Sequence, residues 1–542
     1  MAEHRRPRNS GFVLNNQMLL ILAGVLAAVL IVLLVISGSL LNPNTNQSDD
    51  SLNSVPGSSS TGTSEVTPPS SSIAPPTSSV PTSTAPSVPK PTLPVTPSGG
   101  EYVNVGSGYI VEVVQANVET FDGDTYDDYS HPTNNYLPEG TVDYCSKEFI
   151  YGNGMKYVLL RSGHRVYYDK KVNPYEDGFA KMIPEVKQYA GWLPDHNEIG
   201  VASLEVVGRH SVLTLDCLWK APFHLVTNQS GYSNPKGGKD RDYAVAANNA
   251  SYVDITFCYA TVFEGSVNIS SDHPLFKSAE LIKNKSDYTL RLHLRKKGGF
   301  YGWYAYYNDN AQLCFQFLNP AKVTAAENKY GADLTGTTIL LDIGHGGVDS
   351  GATAMRCPQC TTIYMSADLK NNKCPTCKVK AEIYHTESDL HMALGLALKA
   401  ELESVGATVI LNRTDDSILN VKVRQEKLLE GSPDVCIAIH QNSNDTKSVR
   451  GFYSYYYTPW SQLLAKNIFD YTKDSGIYTR NFLQWKANYF MNRQSVCPTM
   501  LTENGFMSNL NDLVDMVAPE KVEAKATAIA HGIADYFLAI NK

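Results

Sequence analysis

Hydrophobic and polar positions divide the chain into stretches with different periods. Residues 18–36 contain no charge and no Pro. With Phe12 and Leu14 before them and Leu40 and Leu41 after, they are long enough to span a bilayer as one helix. Residues 42–100 have no apolar period. From Glu101 onward, runs alternate with period two, as half-buried strands do. Residues 157–161 and 165–168 flank Ser162-Gly163-His164, and residues 201–207 and 211–219 flank Gly208-Arg209-His210; both read as hairpins. Residues 252–263 predict one long strand. In 289–295, Leu290, Leu292 and Leu294 share one face, and Arg291, His293 and Arg295 the other. Residues 301–307 and 313–318 predict two strands around Asn308-Asp309-Asn310, and 180–189 predicts a short helix. Residues 101–330 are therefore expected to be all-β, a sandwich or two small modules.

After residue 335 the period changes. Residues 338–342, 408–411, 434–439 and 499–501 are short aliphatic runs that predict buried strands. Residues 388–404 predict an amphipathic helix, with Leu390, Ala393, Leu394, Ala397, Leu398 and Leu402 at helical spacing. Strands alternating with helices predict an α/β domain over 335–542, with its site at the C-terminal ends of the strands.

Charge and composition refine this division. Arg5, Arg6 and Arg8 precede the apolar stretch and no basic cluster follows it. This predicts a cytoplasmic tail (1–16), a retained transmembrane helix (17–41) and everything later outside the cytoplasm, a single-pass membrane protein facing the wall side. A cleaved signal peptide is the alternative, but no small-residue cleavage site follows the long apolar core. Residues 42–100 are dominated by Ser, Thr and Pro without an aromatic residue, the composition of a disordered tether. Formal net charge is −8, with 18% charged residues and no concentrated basic face, which argues against nucleic acid as a partner.

Candidate chemistry gathers at the strand ends. The first catalytic-region strand leads into Gly344-His345-Gly346-Gly347, the third into His440-Gln441-Asn442, and the last into Thr502-Glu503-Asn504. Glu387 stands at the start of the helix. Two His and one Glu suit a zinc ion with a position left for water, and a further carboxylate, Glu503, is the candidate proton carrier. His391 lies one helical turn beyond Glu387 and could also face a metal; Glu387 alone is the preferred ligand. In the β-rich region, Asp122, Asp124, Asp127 and Asp128 lack calcium-loop spacing. His131, His164, His210 and His293 have no partner spacing. Cys145, Cys217, Cys258 and Cys314 are each isolated, and either pairing or a buried thiol fits them.

Residues 335–540 resemble the zinc-dependent N-acetylmuramoyl-L-alanine amidases of bacterial cell-wall remodelling. The resemblance is carried by Leu340 to Gly347 with Asp349, Gly351 and Ala352; by Glu387 and its helix ending at Gly406; by Arg413, Asp416 and Arg424; by Ala438 to Asn442; and by Pro498 to Asn509. It implies a twisted, mostly parallel sheet flanked by helices, a catalytic zinc on His345, Glu387 and His440, and Glu503 as general base and then acid. It also implies peptidoglycan as partner, cleaved between muramic acid and L-Ala. Asn442, Arg413 and Arg424 are candidate substrate contacts, and for the two arginines a structural role is the favoured alternative. The stretch Gly298 to Trp303 with its strands resembles β-sandwich modules that precede some cell-wall amidases, which implies wall binding or positioning for 101–330.

The departure is an insertion, 356–380. It holds Cys357-Pro358-Gln359-Cys360 and Cys374-Pro375-Thr376-Cys377. Two C-x2-C turns at this separation predict a zinc ribbon and a second, structural zinc on Cys357, Cys360, Cys374 and Cys377. Disulfides are the competing reading outside the cytoplasm. A ribbon between two ligand residues is expected at the mouth of the site, as a lid or a shaper of access. Two other functions stay open: a zinc peptidase acting on a different peptide bond, and a catalytically silent wall-binding scaffold. Retention of all three ligands and Glu503 argues against the scaffold. The sequence also leaves open whether an activator protein is needed.

Overall fold

The computed structural model describes residues 100–104, 109–121, 132–151, 156–172, 181–229, 248–479 and 482–542. The expected membrane helix (17–41), the tether (42–100), the Asp122–Asp128 acidic patch and His131 lie outside the described residues. No helix among the described residues is long and apolar enough to cross a membrane.

Every described element between Gly100 and Asp333 is a strand. Residues 100–188 build a nine-stranded sheet around Val111, Val118, Leu137, Val158, Val166 and Val186. Further on, a five-stranded sheet faces a four-stranded one. Phe223 of the second packs edge-on against Phe315 of the first, with ring centroids 4.6 Å apart, and Phe276 meets Phe317 at 5.2 Å. Alternation explains the packing: Leu290, Leu292 and Leu294 on Tyr288–Leu294 are buried, while Arg291 turns outward and pairs with Asp254 at 2.8 Å.

Two local expectations fail here. Within the helix expected over 180–189, the described residues 181–189 are not helical but form the short strands Lys181–Pro184 and Val186–Gln188. Pro184 has no N–H to give a helix, and Val186 is buried opposite Val113. The single strand expected over 252–263 is two, Tyr252–Phe257 and Ala260–Glu264, in different sheets. The chain reverses at Tyr259, whose φ is +64°.

The α/β part is labelled in chain order. Strand β1 is Thr338–Ile343. The insertion contributes β2 (Thr353–Arg356), β3 (Ile363–Met365) and β4 (Glu382–Thr386). Helix α1 is Glu387–Glu403, β5 is Thr408–Leu411, α2 is Val421–Gly431 and β6 is Val435–Asn442. Strand β7 is Phe452–Tyr456, α3 is Gln462–Asp474, β8 is Leu483–Lys486 and β9 is Thr499–Phe506, followed by α4 (Leu510–Val517) and α5 (Pro519–Ile540). The main sheet has the order β5-β1-β6-β9-β7-β8, and only the β7–β9 pairing is antiparallel. β1 and β6 are buried almost throughout, as parallel strands covered on both faces must be.

The β-rich and α/β parts share one continuous core, running from Phe223, Trp303 and Phe317 to Leu340, Ile437 and Leu464. Polar contacts seal the junction. Glu119 forms a buried two-pronged pair with Arg493, at 2.5 and 2.8 Å. Lys422 reaches Glu185 at 3.1 Å, and Arg209 pairs with Asp434. The Trp303 N–H donates to the Ser495 carbonyl at 2.7 Å. Asp434 and Ser495 precede β6 and β9, so the Arg209 and Trp303 contacts lie at the N-terminal ends of those strands, while Lys422 meets Glu185 from the first turn of α2, beyond the C-terminal end of β5.

Candidate active site

β1 delivers His345 at its C-terminal end, on a turn where His345 itself takes a left-handed φ of +53°. Its Nδ1 lies 2.7 Å from Asp349 Oδ2, four residues on, which aims Nε2 inward. Glu387 opens α1. Thr386 caps the helix by accepting the Asp389 N–H, and a carboxylate in the first turn suits the helix dipole. Glu387 Oε2 accepts the Ala352 N–H at 2.8 Å, while Oε1 faces His345 Nε2 and His440 Nδ1, each at 3.4 Å. Ligand atoms of His345, Glu387 and His440 all lie within 4.8 Å of one another. Glu503 on β9 is directly across from His440 on β6 and is buried.

Two glycines make room for this. A Cβ on Gly344 would stand 2.4 Å from the His440 ring, and one on Gly351 would stand 2.6 Å from Glu387 Oε2. Gly351 also has φ +62°, so the loop needs glycine there for both reasons.

The electrostatics favour a cation. Burial would raise the Glu387 carboxyl, but the His345 and His391 imidazoles hold it well below the usual carboxylate range. Burial would lower His345, but Glu387 and Asp349 push it up to about 10. Burial takes His440 down to about 4, leaving a neutral imidazole, the form that binds a metal. Burial, then the charge of Glu387, raises the Glu503 carboxyl well above its ordinary value. His345 Nε2, His440 Nδ1 and Glu503 Oε2 are buried without a hydrogen-bond partner among the described residues. Such atoms are costly unless something else engages them. The donor set of two imidazole nitrogens and one carboxylate oxygen fits a divalent metal.

His391 is close but differently engaged. Its Nδ1 is 3.2 Å from the Gly344 carbonyl, its Nε2 takes the Gln441 N–H at 3.0 Å, and Glu387 Oε1 is also 3.0 Å away. It buttresses the ligand loop and the end of β6. Arg413 and Arg424 both make structural contacts, the role favoured for them over substrate binding. Arg413 donates to the carbonyls of Ile343, Gly344, Ser388 and Asp415 and to Ser388 Oγ, and so holds the loop to the start of α1. Arg424 is spent on buried Asp342, which also accepts from Asn412 at 2.6 Å. Asn442 ends β6 half-buried, with its side-chain oxygen accepting the Ser443 N–H at 2.8 Å. Asp349 is the residue whose role sequence reasoning missed; its signal was the four-residue spacing from His345.

The insertion forms its own three-stranded sheet, β3-β2-β4. Sulfurs of Cys357, Cys360, Cys374 and Cys377 lie within 4.8 Å of one another, and all ten cysteines are free thiols. The N–H groups of Cys360 and Cys377 point at Cys357 Sγ and Cys374 Sγ, each at 3.4 Å. The Cys377 N–H pulls the Cys374 thiol down to about 6, toward the thiolate that a metal needs. Met365 packs with Leu390 of α1 and with Leu513 and Met516 of α4. Asp368 meets Lys447 at 2.8 Å. Lys370, Lys373, Lys378 and Lys380 are exposed.

The family described as N-acetylmuramoyl-L-alanine amidase matches residues 339–535. Those residues belong to that family. The amidase domain is 24% identical, over 228 residues, to N-acetylmuramoyl-L-alanine amidase LytC of Bacillus subtilis, covering 40% of this chain and 39% of LytC. It is 27% identical over 238 residues to a Staphylococcus aureus protein named "Probable cell wall amidase LytH", covering 44% of this chain and 68% of that one. This chain thus aligns with well under half of LytC's length. Among solved structures, the catalytic domain of CwlV from Bacillus (Paenibacillus) polymyxa is 23% identical, covering 38% of this chain and 99% of that domain, with a TM-score of 0.31.

Proposed function

We propose that this chain is a zinc-dependent N-acetylmuramoyl-L-alanine amidase that cleaves the amide between the lactyl group of muramic acid and L-Ala of the peptidoglycan stem peptide. The observation that carries the reading is the convergence of His345, Glu387 and His440 beside Glu503, inside a domain of this family. His345 Nε2, His440 Nδ1 and Glu387 Oε1 would hold the zinc. Bound there, zinc supplies Lewis acidity and lowers the pKa of water.

The remaining work falls to the chain. Asp349 keeps His345 in the tautomer that presents Nε2. The Ala352 N–H fixes one Glu387 oxygen, so the other faces the histidines. Glu503 takes the proton of the attacking water and passes it to the amide nitrogen as the C–N bond breaks. A raised affinity for protons suits a carboxylate that must hold one between those two moments. The products are a lactyl carboxylate and a stem peptide with a free L-Ala amine.

Zinc also suits the four-cysteine cluster, where it would be structural and close the ribbon. Residues 17–41 would hold the chain in the membrane with its N-terminus cytoplasmic, and residues 42–100 would let the amidase domain reach the wall.

The test is product analysis. Metal-loaded full chain is incubated with purified sacculi, with and without a chelator, beside Glu503→Gln. Expected is release of stem peptides starting at L-Ala, lost on chelation and reduced about 10²–10⁴-fold in the variant. Peptides cleaved at another bond would sink the amidase reading. Cleavage that appears only after a wall extract is added would establish a need for an activator.

A further inference from the structure

The sheet face that carries Glu503 continues into aromatic rings that the hydrolysis does not use. Tyr453 on β7 is directly across from Glu503, and Tyr455 from Leu501. On β8, the last strand of the sheet, Leu483 is across from Tyr453 and Trp485 from Tyr455. Registered residues share a face. His440, Glu503, Tyr453 and Leu483 therefore form one row across the sheet, with Ala438, Leu501, Tyr455 and Trp485 in the next row on the same side. Tyr455 and Leu501 are buried beneath, while Tyr453, Trp485 and Tyr489 each keep part of their surface open.

The rings form a connected group. Trp485 lies 6.4 Å from both Tyr453 and Tyr455, and Tyr455 lies 5.4 Å from Tyr489, all between centroids. Phe506 braces Tyr453 edge-on at 5.0 Å. Two strand spacings separate Glu503 from β8, about 10 Å.

We propose that Tyr453, Trp485 and Tyr489 are a stacking platform for a sugar ring of the glycan strand, on the carbonyl side of the scissile amide. This rests on the amidase reading above. The C–H face of a pyranose is flat and apolar, its rim is hydroxylated, and half-buried Trp and Tyr offer a flat apolar surface with a polar tip. The alternative occupant is the stem peptide, which carries free carboxylates. The Lys of β8, Lys486, follows Trp485 in the strand and so points to the opposite face, buried with its ammonium 4.4 Å from the Tyr457 ring. A sugar is the occupant that fits. The platform would make the enzyme prefer muramic acid within a strand over the same unit alone.

The test uses the metal-loaded full chain and three probes: glycan strands stripped of peptide, strands bearing stem peptides, and a single muramic acid carrying the same peptide. Expected is binding of stripped strands by the natural protein, weakened about tenfold in Trp485→Ala and largely kept in Trp485→Phe. The strand-to-monomer ratio of kcat/KM should fall about tenfold in Trp485→Ala. Tyr453→Leu provides a second variant should the first fail to fold, and it should move both readouts the same way. Unchanged binding and ratio would overturn the platform, as would a preference that tracks peptide length at fixed glycan length. Stripped-strand binding that depends on Trp485, without any release of stem peptide, would uphold the platform and overturn the amidase reading.

Discussion

Asp349 touches no substrate, yet it decides which nitrogen His345 presents. Its carboxylate accepts from Nδ1, so Nε2 keeps its lone pair. Removal of such a partner lowers metal affinity about 10–100-fold. Asp349→Asn should do so while the fold stays intact, measured by competition with a chromogenic chelator. A second residue-scale effect lies far from the site. Burial, then the neighbouring His224, pushes His164 down to about 3, and its Nε2–H donates to the Phe223 carbonyl. In the unfolded chain it titrates near 6.5. Between those values the unfolded state binds a proton that the fold refuses, so stability drops as pH falls, by up to about 1.4 kcal/mol per pH unit. Denaturant midpoints from pH 7 to 4.5 should fall less steeply in His164→Gln; equal slopes would rule this out. The convergence of His345, Glu387 and His440 was legible because each sits in a short local pattern. A structural role for Arg413 and Arg424 was legible too, but their partners were not, because Ser388 and Asp342 meet them only after the chain has folded.

At the scale of elements, the insertion is a small unit with a slight interior of its own, packed through Met365 onto α1 and α4. Its own apolar cluster is Met355, Leu369 and Ala381, with Tyr364 against it, so on the proposed reading a metal on the four sulfurs would supply much of its cohesion. Cys374→Ser should remove one zinc equivalent by native mass spectrometry and open residues 356–380 to protease. Full occupancy and resistance would show that the cluster is not a metal site. The two C-x2-C turns were readable at once, because four thiolates at that spacing have few other uses. Strand partners were not. Alternation in 252–263 said which side chains face inward but was silent on the reversal at Tyr259, which sends its two halves to different sheets.

For the whole molecule, the change of period near residue 335 marks a change of architecture without a break in packing. Apolar side chains on both sides of it belong to one core, so the β-rich part is packed as a foundation for the α/β part. Glu119 and Arg493, 374 residues apart, are among the contacts that hold it there. Glu119→Ala leaves the Arg493 guanidinium buried without its carboxylate, a change that costs about 3–5 kcal/mol. Chemical denaturation should show that loss in one cooperative transition shared by β-rich and α/β probes. Two separate transitions would mean the parts fold independently. No periodicity could have shown this fusion, since a sequence reports which residues seek burial and not which distant residues bury them.

The ribbon's last strand runs without interruption into α1: Thr386 ends β4 and Glu387 begins the helix. The Thr353–Thr386 pairing and the bond from the Glu387 N–H to the Ala352 carbonyl tie both ends of the insertion to that carboxylate. If the cysteines hold zinc as proposed, ordering the insertion would come before a complete Glu387 site, and the two ions would be filled in that order. Returning zinc to stripped protein should yield a silent first equivalent, taken by the cysteines, and activity only with the second. On the proposed two-zinc reading, a cell running short of zinc would lose hydrolysis before it lost the folded insertion, and the enzyme would be ready to resume when supply returned.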